Sequence, residues 1–281
     1  MIGSRGGART VTVTRRRDGD STRAKDALAV EEPLEIRVAW KDVDGRARVE
    51  PLAVTMRTPG DDFELVAGFL HGEGVVTDTD QLAEMTYCRG GETQKYNIVE
   101  ARLSAGVALD VERLRRNFYT TSSCGVCGKA SLDAVAVRGC RVLAPGPRVE
   151  SALLPELPER LREAQAVFAK TGGLHAAGLF GVDGEPVWVR EDVGRHNAVD
   201  KTLGCAFLAR ALPAAERILV VSGRASFELV QKAVTAGVPM LVAVGAPSTL
   251  AVDLASRFQQ TLVGFARNGG FNVYCGEERI A

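Results

Sequence analysis

The sequence predicts an α/β protein: an α+β first half followed by a C-terminal α/β sandwich. Two continuous apolar runs, 218–221 and 239–244, each end in a glycine-bearing turn and lead into a helical pattern. That is the βαβ rhythm of a sheet covered on both faces. Upstream, apolar residues alternate with polar ones over 34–56, the period of half-buried strands. Pro-Gly-Pro at 145–147, then Pro155 and Pro158, punctuates the chain between the two regimes. The division expected is a mobile tail over 1–25, an N-terminal α+β domain over 26–148, and a C-terminal α/β domain over 149–281.

Residues 1–25 are rich in glycine and arginine, with at most one short strand around Val11 to Thr14. Leu34, Ile36 and Val38, then Val49, Leu52 and Val54, alternate on either side of Asp-Val-Asp-Gly and predict a β-hairpin. Pro59, Gly60 and Asp61 open a helix in which Phe63, Val66, Ala67 and Leu70 recur at helical spacing. Tyr96 to Leu103 reads as a strand and Val111 to Arg116 as a short helix. Past the prolines, Leu161, Ala164, Val167 and Phe168 predict one helix over 159–170. A hairpin over 174–190, a helix over 192–209, and strands at 218–221 and 239–244 follow. Helices are expected over 227–236 and 248–260, and strands at 262–266 and 271–274 close the chain.

With 281 residues the chain is large enough for a substantial core. Its 35 basic and 35 acidic residues balance, so no overall field favours nucleic acid or an anionic membrane. Neither a signal peptide nor a spanning segment is recognisable, so the protein is expected in the cytoplasm. Six cysteines without an export signal suit catalytic or metal-binding thiols better than a disulfide framework.

The strongest chemical signal is Cys124 and Cys127, within Thr-Thr-Ser-Ser-Cys-Gly-Val-Cys-Gly-Lys. Small flanking residues allow close approach of another molecule, and Lys129 or a helix start at Ala130 would lower a thiol pKa. Spacing alone leaves open a disulfide switch, a zinc ligand pair or a nucleophile. Cys205 reads as a small buried hydrophobe, and Cys88, Cys140 and Cys275 have no paired spacing.

Three loops suit phosphate oxygens. Ser222-Gly223-Arg224-Ala225-Ser226 and Gly245-Ala246-Pro247-Ser248-Thr249 each join a strand to a helix start, and Arg224 adds a bidentate donor. Ordinary helix capping by their hydroxyls accounts for the same residues. Phe265-Ala266-Arg267-Asn268-Gly269-Gly270 connects the last two strands with glycines and a third basic side chain. The densest polar cluster spans 190–201, where His196 and Asn197 stand early in a helix beside two arginines and two acids. That mixture suits proton transfer or polar ligand recognition. His71-Gly72-Glu73 matches half of a zinc deaminase pattern, but a C-terminal histidine favours the helix dipole without metal, and no metal is expected.

Taken together, Ser-Cys-Gly-Val-Cys-Gly at 123–128, Arg-Glu-Asp-Val-Gly-Arg-His-Asn-Ala-Val-Asp-Lys at 190–201, Ser-Gly-Arg-Ala-Ser-Phe-Glu-Leu-Val-Gln-Lys at 222–232 and Val-Gly-Ala-Pro-Ser-Thr-Leu-Ala-Val at 244–252 resemble the FdhD family. These are the accessory sulfurtransferases of formate dehydrogenase, and the resemblance runs from about residue 30 to the end. It implies a cytidine-deaminase-like fold in the C-terminal part and a homodimer. It implies a sulfur carrier that accepts persulfide sulfur from a cysteine desulfurase. The sulfur passes to the bis-guanylyl molybdenum cofactor, Mo-bis(molybdopterin guanine dinucleotide), before insertion into formate dehydrogenase. Cys124 matches the persulfide cysteine and Cys127 its partner; Phe265 to Gly270 match the cofactor-binding stretch, with GDP as a mimic. The competing readings are a cofactor chaperone without cysteine chemistry and a zinc-dependent deaminase-like hydrolase.

Overall fold

The computed structural model describes residues 6–42, 44–88, 96–107, 109 and 140–281. Cys124, Cys127 and the helix expected over 111–116 lie outside the described residues.

The chain starts with a two-stranded ribbon, β1 (Ala8–Arg17) and β2 (Asp20–Ala29), paired antiparallel along its whole length. Over 8–25 this ribbon stands where a mobile tail was expected. Asp18 and Gly19 both take positive φ, 51° and 91°, the two-residue turn whose twist matches a hairpin. Threonine and valine alternate in β1, but the ribbon is exposed over most of its surface, so no apolar face announces it.

β3 (Glu32–Lys41), β4 (Ala47–Arg57), β5 (Leu82–Tyr87) and β6 (Ile98–Leu103) form a sheet in the order β4-β3-β6-β5, with β3 and β6 parallel. The hairpin and the last strand are as expected; β5 is an addition, half-buried and lacking a clear apolar alternation. Leu34, Ile36, Val38, Val99 and Ala101 close on Leu65, Val66 and Leu70 of α1 (Asp62–Gly72). Arg57 is fully buried, its guanidinium forked onto Asp62 at 2.9 Å, and Tyr87 donates to the same carboxylate at 3.0 Å.

The second half is a six-stranded sheet in the order β12-β11-β10-β9-β7-β8. Its strands are β7 (His175–Phe180), β8 (Pro186–Asp192), β9 (Ile218–Val221), β10 (Met240–Ala243), β11 (Thr261–Arg267) and β12 (Gly270–Cys275). β9, β10 and β11 are parallel and every residue of β9 and β10 is buried, as their unbroken apolar runs require. The α/β class is therefore correct. In place of the single helix expected over 159–170 stand α2 (Leu157–Glu163) and α3 (Phe168–Thr171). The Glu191 carboxylate accepts from the N–H groups of Val167 and Phe168 at 2.9 and 2.7 Å, giving α3 its own start. The remaining α-helices among the described residues are α4 (Arg195–Leu208), α5 (Phe227–Thr235) and α6 (Thr249–Arg257). None of the described helices is long and apolar enough to cross a membrane.

The two halves meet through α1 and α4. Gly68 and Gly204 face each other there, and a Cβ on either would run into the other helix's backbone, at Asp200 and Glu64 respectively. Gly204→Ala is therefore expected to lower stability by about 1–3 kcal/mol, the usual cost of overpacking, read as a shift of the denaturant midpoint. An unchanged midpoint would contradict the close approach.

Candidate functional site

β8 to β11 all run in one direction, and β7 runs opposite. The C-terminal ends of β8, β9, β10 and β11 and the first residue of β7 therefore share one edge of the sheet. The starts of α4, α5 and α6 lie at the same edge, because each helix follows one of those strand ends. Helix starts offer unpaired N–H groups and a positive dipole end to an anion.

The three predicted loops are laced together there. Gly245 N–H donates to the Gly223 carbonyl at 3.0 Å, Ser248 N–H to Ala225 at 3.1 Å and Phe265 N–H to Gly245 at 3.2 Å. Gly245 has to be glycine for this lacing, since a Cβ would lie 2.9 Å from Cγ of Arg224. Ser248 caps α6, its hydroxyl accepting from Ala251 N–H at 3.2 Å, so capping explains that serine. Capping does not explain the other two. Ser222 Oγ accepts from Ala176 N–H of β7 at 2.9 Å, and Ser226, although at the N-cap position of α5, makes no side-chain cap.

In the last loop Asn268 and Gly269 carry positive φ, 51° and 76°. Phe265 does so as well, at 53°, in a strand where a bulky residue rarely adopts that conformation. The residue is 38% exposed, with the Arg267 guanidinium 5.9 Å from its ring centroid. Ala266 differs from its neighbours: its side chain is buried in the core between sheet and α2, leaving only its backbone to the edge.

His196 stands in the first turn of α4. Nε2 lies 3.4 Å from Ser226 Oγ and 3.7 Å from Glu228 Oε2, and that pairing is the main reason the Glu228 carboxyl is pulled down to about 2. His175, at the start of β7, joins the edge because β7 pairs antiparallel with β9. Its imidazole is held below the usual histidine range, first by burial and then by the positive charges of Arg195 and His196. His175, Arg195 and Glu228 were not singled out from the sequence; only the pairing of β7 with β9 brings the first of them beside Gly223.

Asn197, Asp192, Lys201 and Arg190 of the 190–201 cluster serve the fold. Asn197, Asp192 and Lys201 are buried and tie α4 to the first half of the chain. Arg190 makes two bonds to Glu64 of α1.

Outside the edge, three of the described thiols are raised rather than activated. Burial is the leading cause that raises Cys88, Cys205 and Cys275 above the usual range, Cys205 to about 11. Cys205 is half-buried and accepts from Arg190 at 3.3 Å rather than being the inert buried hydrophobe expected. His71 is buried against Phe207 with Nδ1 3.2 Å from the Val76 carbonyl, and burial lowers its pKa. Among the described residues no three metal-ligating side chains come together.

Known proteins share this architecture and sequence. A crystal structure described as that of a formate dehydrogenase accessory protein from Desulfotalea psychrophila superposes with a TM-score of 0.73 at 24% identity, covering 98% of this chain and 100% of that one. A protein of Streptomyces avermitilis named sulfur carrier protein FdhD is 55% identical over 274 residues, 96% of this chain and 94% of its own length. One of the same name from Mycobacterium tuberculosis is 52% identical over 264 residues, 91% and 92% of the two chains. The family model for FdhD/NarQ matches residues 29–281. With nearly its whole length matched, from the first sheet through the phosphate-suited edge, the chain belongs to the FdhD/NarQ family.

Proposed function

We propose that this protein is a sulfur carrier serving formate dehydrogenase. It takes persulfide sulfur from a cysteine desulfurase onto Cys124, with Cys127 as the second thiol. It passes the sulfur to the bis-guanylyl molybdenum cofactor, whose guanine nucleotide phosphates bind along the C-terminal edge. One observation supports this reading most: the three loops chosen from sequence for phosphate binding are hydrogen-bonded to one another on a single edge beside three helix starts. The names of the relatives point to the same chemistry. The protein is then a sulfurtransferase in which the cofactor is the acceptor substrate rather than a resident group.

On that edge each group has a task. Arg224 and Arg267 supply charge to phosphate oxygens, the N–H groups at the start of α5 that Glu228 does not take supply uncharged donors, and the exposed Phe265 ring offers a flat apolar face to a base. His196 adds a group able to hold or release a proton. The contacts of His196 do not form a hydrolase triad, because serine and carboxylate both address Nε2, whereas a triad places the acid on the opposite ring nitrogen.

Incubating the protein with a cysteine desulfurase and cysteine is expected to add about 32 Da, one sulfur atom, on a peptide containing Cys124 or Cys127. The adduct should disappear with dithiothreitol. A protein that never gains the adduct while still supporting formate dehydrogenase would favour the chaperone reading instead.

A further inference from the structure

Glu228 carries a consequence beyond the assignments above. It sits in the first turn of α5, while His196 sits in the first turn of α4, and their side chains meet across the mouth of the edge. At 3.7 Å the contact is longer than a hydrogen bond, but the negative charge of the carboxylate still favours the hydrogen on the ring nitrogen that faces it. Both neighbours of the ring, Glu228 and Ser226, address Nε2. Among the described residues nothing hydrogen-bonds to Nδ1, and the side chain is 40% exposed. His175 and the buried Asp200 also feel the charge of the ring without hydrogen-bonding to it.

We propose that Glu228 is a positioning residue: it pins Nε2–H of His196 so that Nδ1 is the atom this histidine presents to a ligand on the C-terminal edge. Neutral, Nδ1 accepts a hydrogen bond from an N–H or O–H of the ligand; protonated, it donates to a phosphate oxygen. The serine hydroxyl completes the clamp by taking either role toward Nε2. This assignment rests on the proposed nucleotide-binding role of the edge for its ligand, but the orientation of the ring stands by itself.

The low pKa of Glu228 agrees with the geometry, because a carboxylate held near the imidazole loses its proton more readily. Sign follows directly. A depressed carboxyl contributes its stabilisation above its ordinary value, near 4.5, and loses it as the pH falls toward about 2. Across the neutral range Glu228 is therefore an ionised acceptor.

Long-range ¹H–¹⁵N spectra of histidine-labelled protein test the orientation without any ligand. The neutral His196 ring is expected to show Nε2–H and an unprotonated Nδ1, and addition of GDP should perturb Nδ1 more than Nε2. Glu228→Ala should lose the tautomer preference and weaken GDP binding roughly fivefold, the scale of one hydrogen bond of about 1 kcal/mol. Glu228→Gln, whose amide oxygen still accepts, should restore both. An Nδ1–H tautomer in the wild type, or a Glu228→Ala variant with unchanged tautomer and affinity, overturns the assignment. Failure of the wild type to bind GDP while the Nε2–H tautomer holds would overturn the nucleotide reading and leave the orientation of His196 standing.

Discussion

Cells carrying Cys124→Ala are expected to have formate dehydrogenase activity at the level of a strain lacking this protein, although the variant accumulates folded and binds GDP. The reasoning is one of nucleophilic exchange. A thiolate attacks the outer sulfur of the donor persulfide, the S–S bond of the donor breaks, and the donor cysteine leaves as its thiolate. The carrier is left with Cys–S–SH. Alanine has no lone pair to begin that sequence. Cys88, Cys205 and Cys275 are poor substitutes, because burial holds each thiol protonated. Cys127→Ala should retain more activity than Cys124→Ala if Cys127 only assists. The experiment compares in-cell formate oxidation with the thermal midpoint and GDP affinity of the purified variants. Full activity in Cys124→Ala would sink the carrier reading and leave a binding-only role for the edge.

Much of the fold is written in local sequence, and the exceptions have identifiable causes. β9 and β10 were legible because a strand buried on both faces needs an unbroken apolar run, and Ile218 to Val221 and Met240 to Ala243 provide one each. The β1–β2 ribbon was not, because its arginines and threonines expose both faces and only the Asp18-Gly19 turn marks it. The break between α2 and α3 depends on Glu191, twenty-four residues beyond Val167, so no window on the helix itself contains its cause. The site divides in the same way. Its loops were visible as strand-to-helix turns, but the place of His175 depends on β7 pairing with β9, and that of Glu228 on α5 lying beside α4. Cys124 and Cys127 are known from the sequence motif alone. Asp192 and Lys201 show the opposite error: a dense polar motif that suggests a binding site holds, in part, the brace beneath it.

That brace supports the second large effect, a loss of about 3–5 kcal/mol in Lys201→Met. Lys201 and Asp192 are 1% and 0% exposed at their side chains, and Nζ lies 2.8 Å from Oδ2. The ammonium also donates to the Thr58 carbonyl at 2.8 Å. Asp192 in turn accepts from Thr58 N–H at 3.1 Å, Gly194 N–H at 2.8 Å and Asn197 Nδ2 at 3.0 Å. The pair thus ties the end of β4 to the end of β8 and the start of α4, which carries Arg195 and His196. Desolvation offsets much of the attraction within a buried pair, so its net contribution can be small. Removing one partner strands the other charge, and that is the costly event. Methionine fills most of the lysine volume, which separates the charge effect from a cavity. The double variant Asp192→Asn/Lys201→Met no longer buries an anion; with its oxygen kept toward Gly194 and Asn197, its amide nitrogen replaces Oδ2, gaining the vacated Thr58 carbonyl but giving up the bond from Thr58 N–H, a neutral loss smaller than that of a stranded charge. It should therefore recover at least about 1 kcal/mol relative to Lys201→Met in denaturant unfolding. A double variant no more stable than the single would mean that the lysine acts through packing or its bond to Thr58, and that the buried charge is not what holds the two halves to the edge.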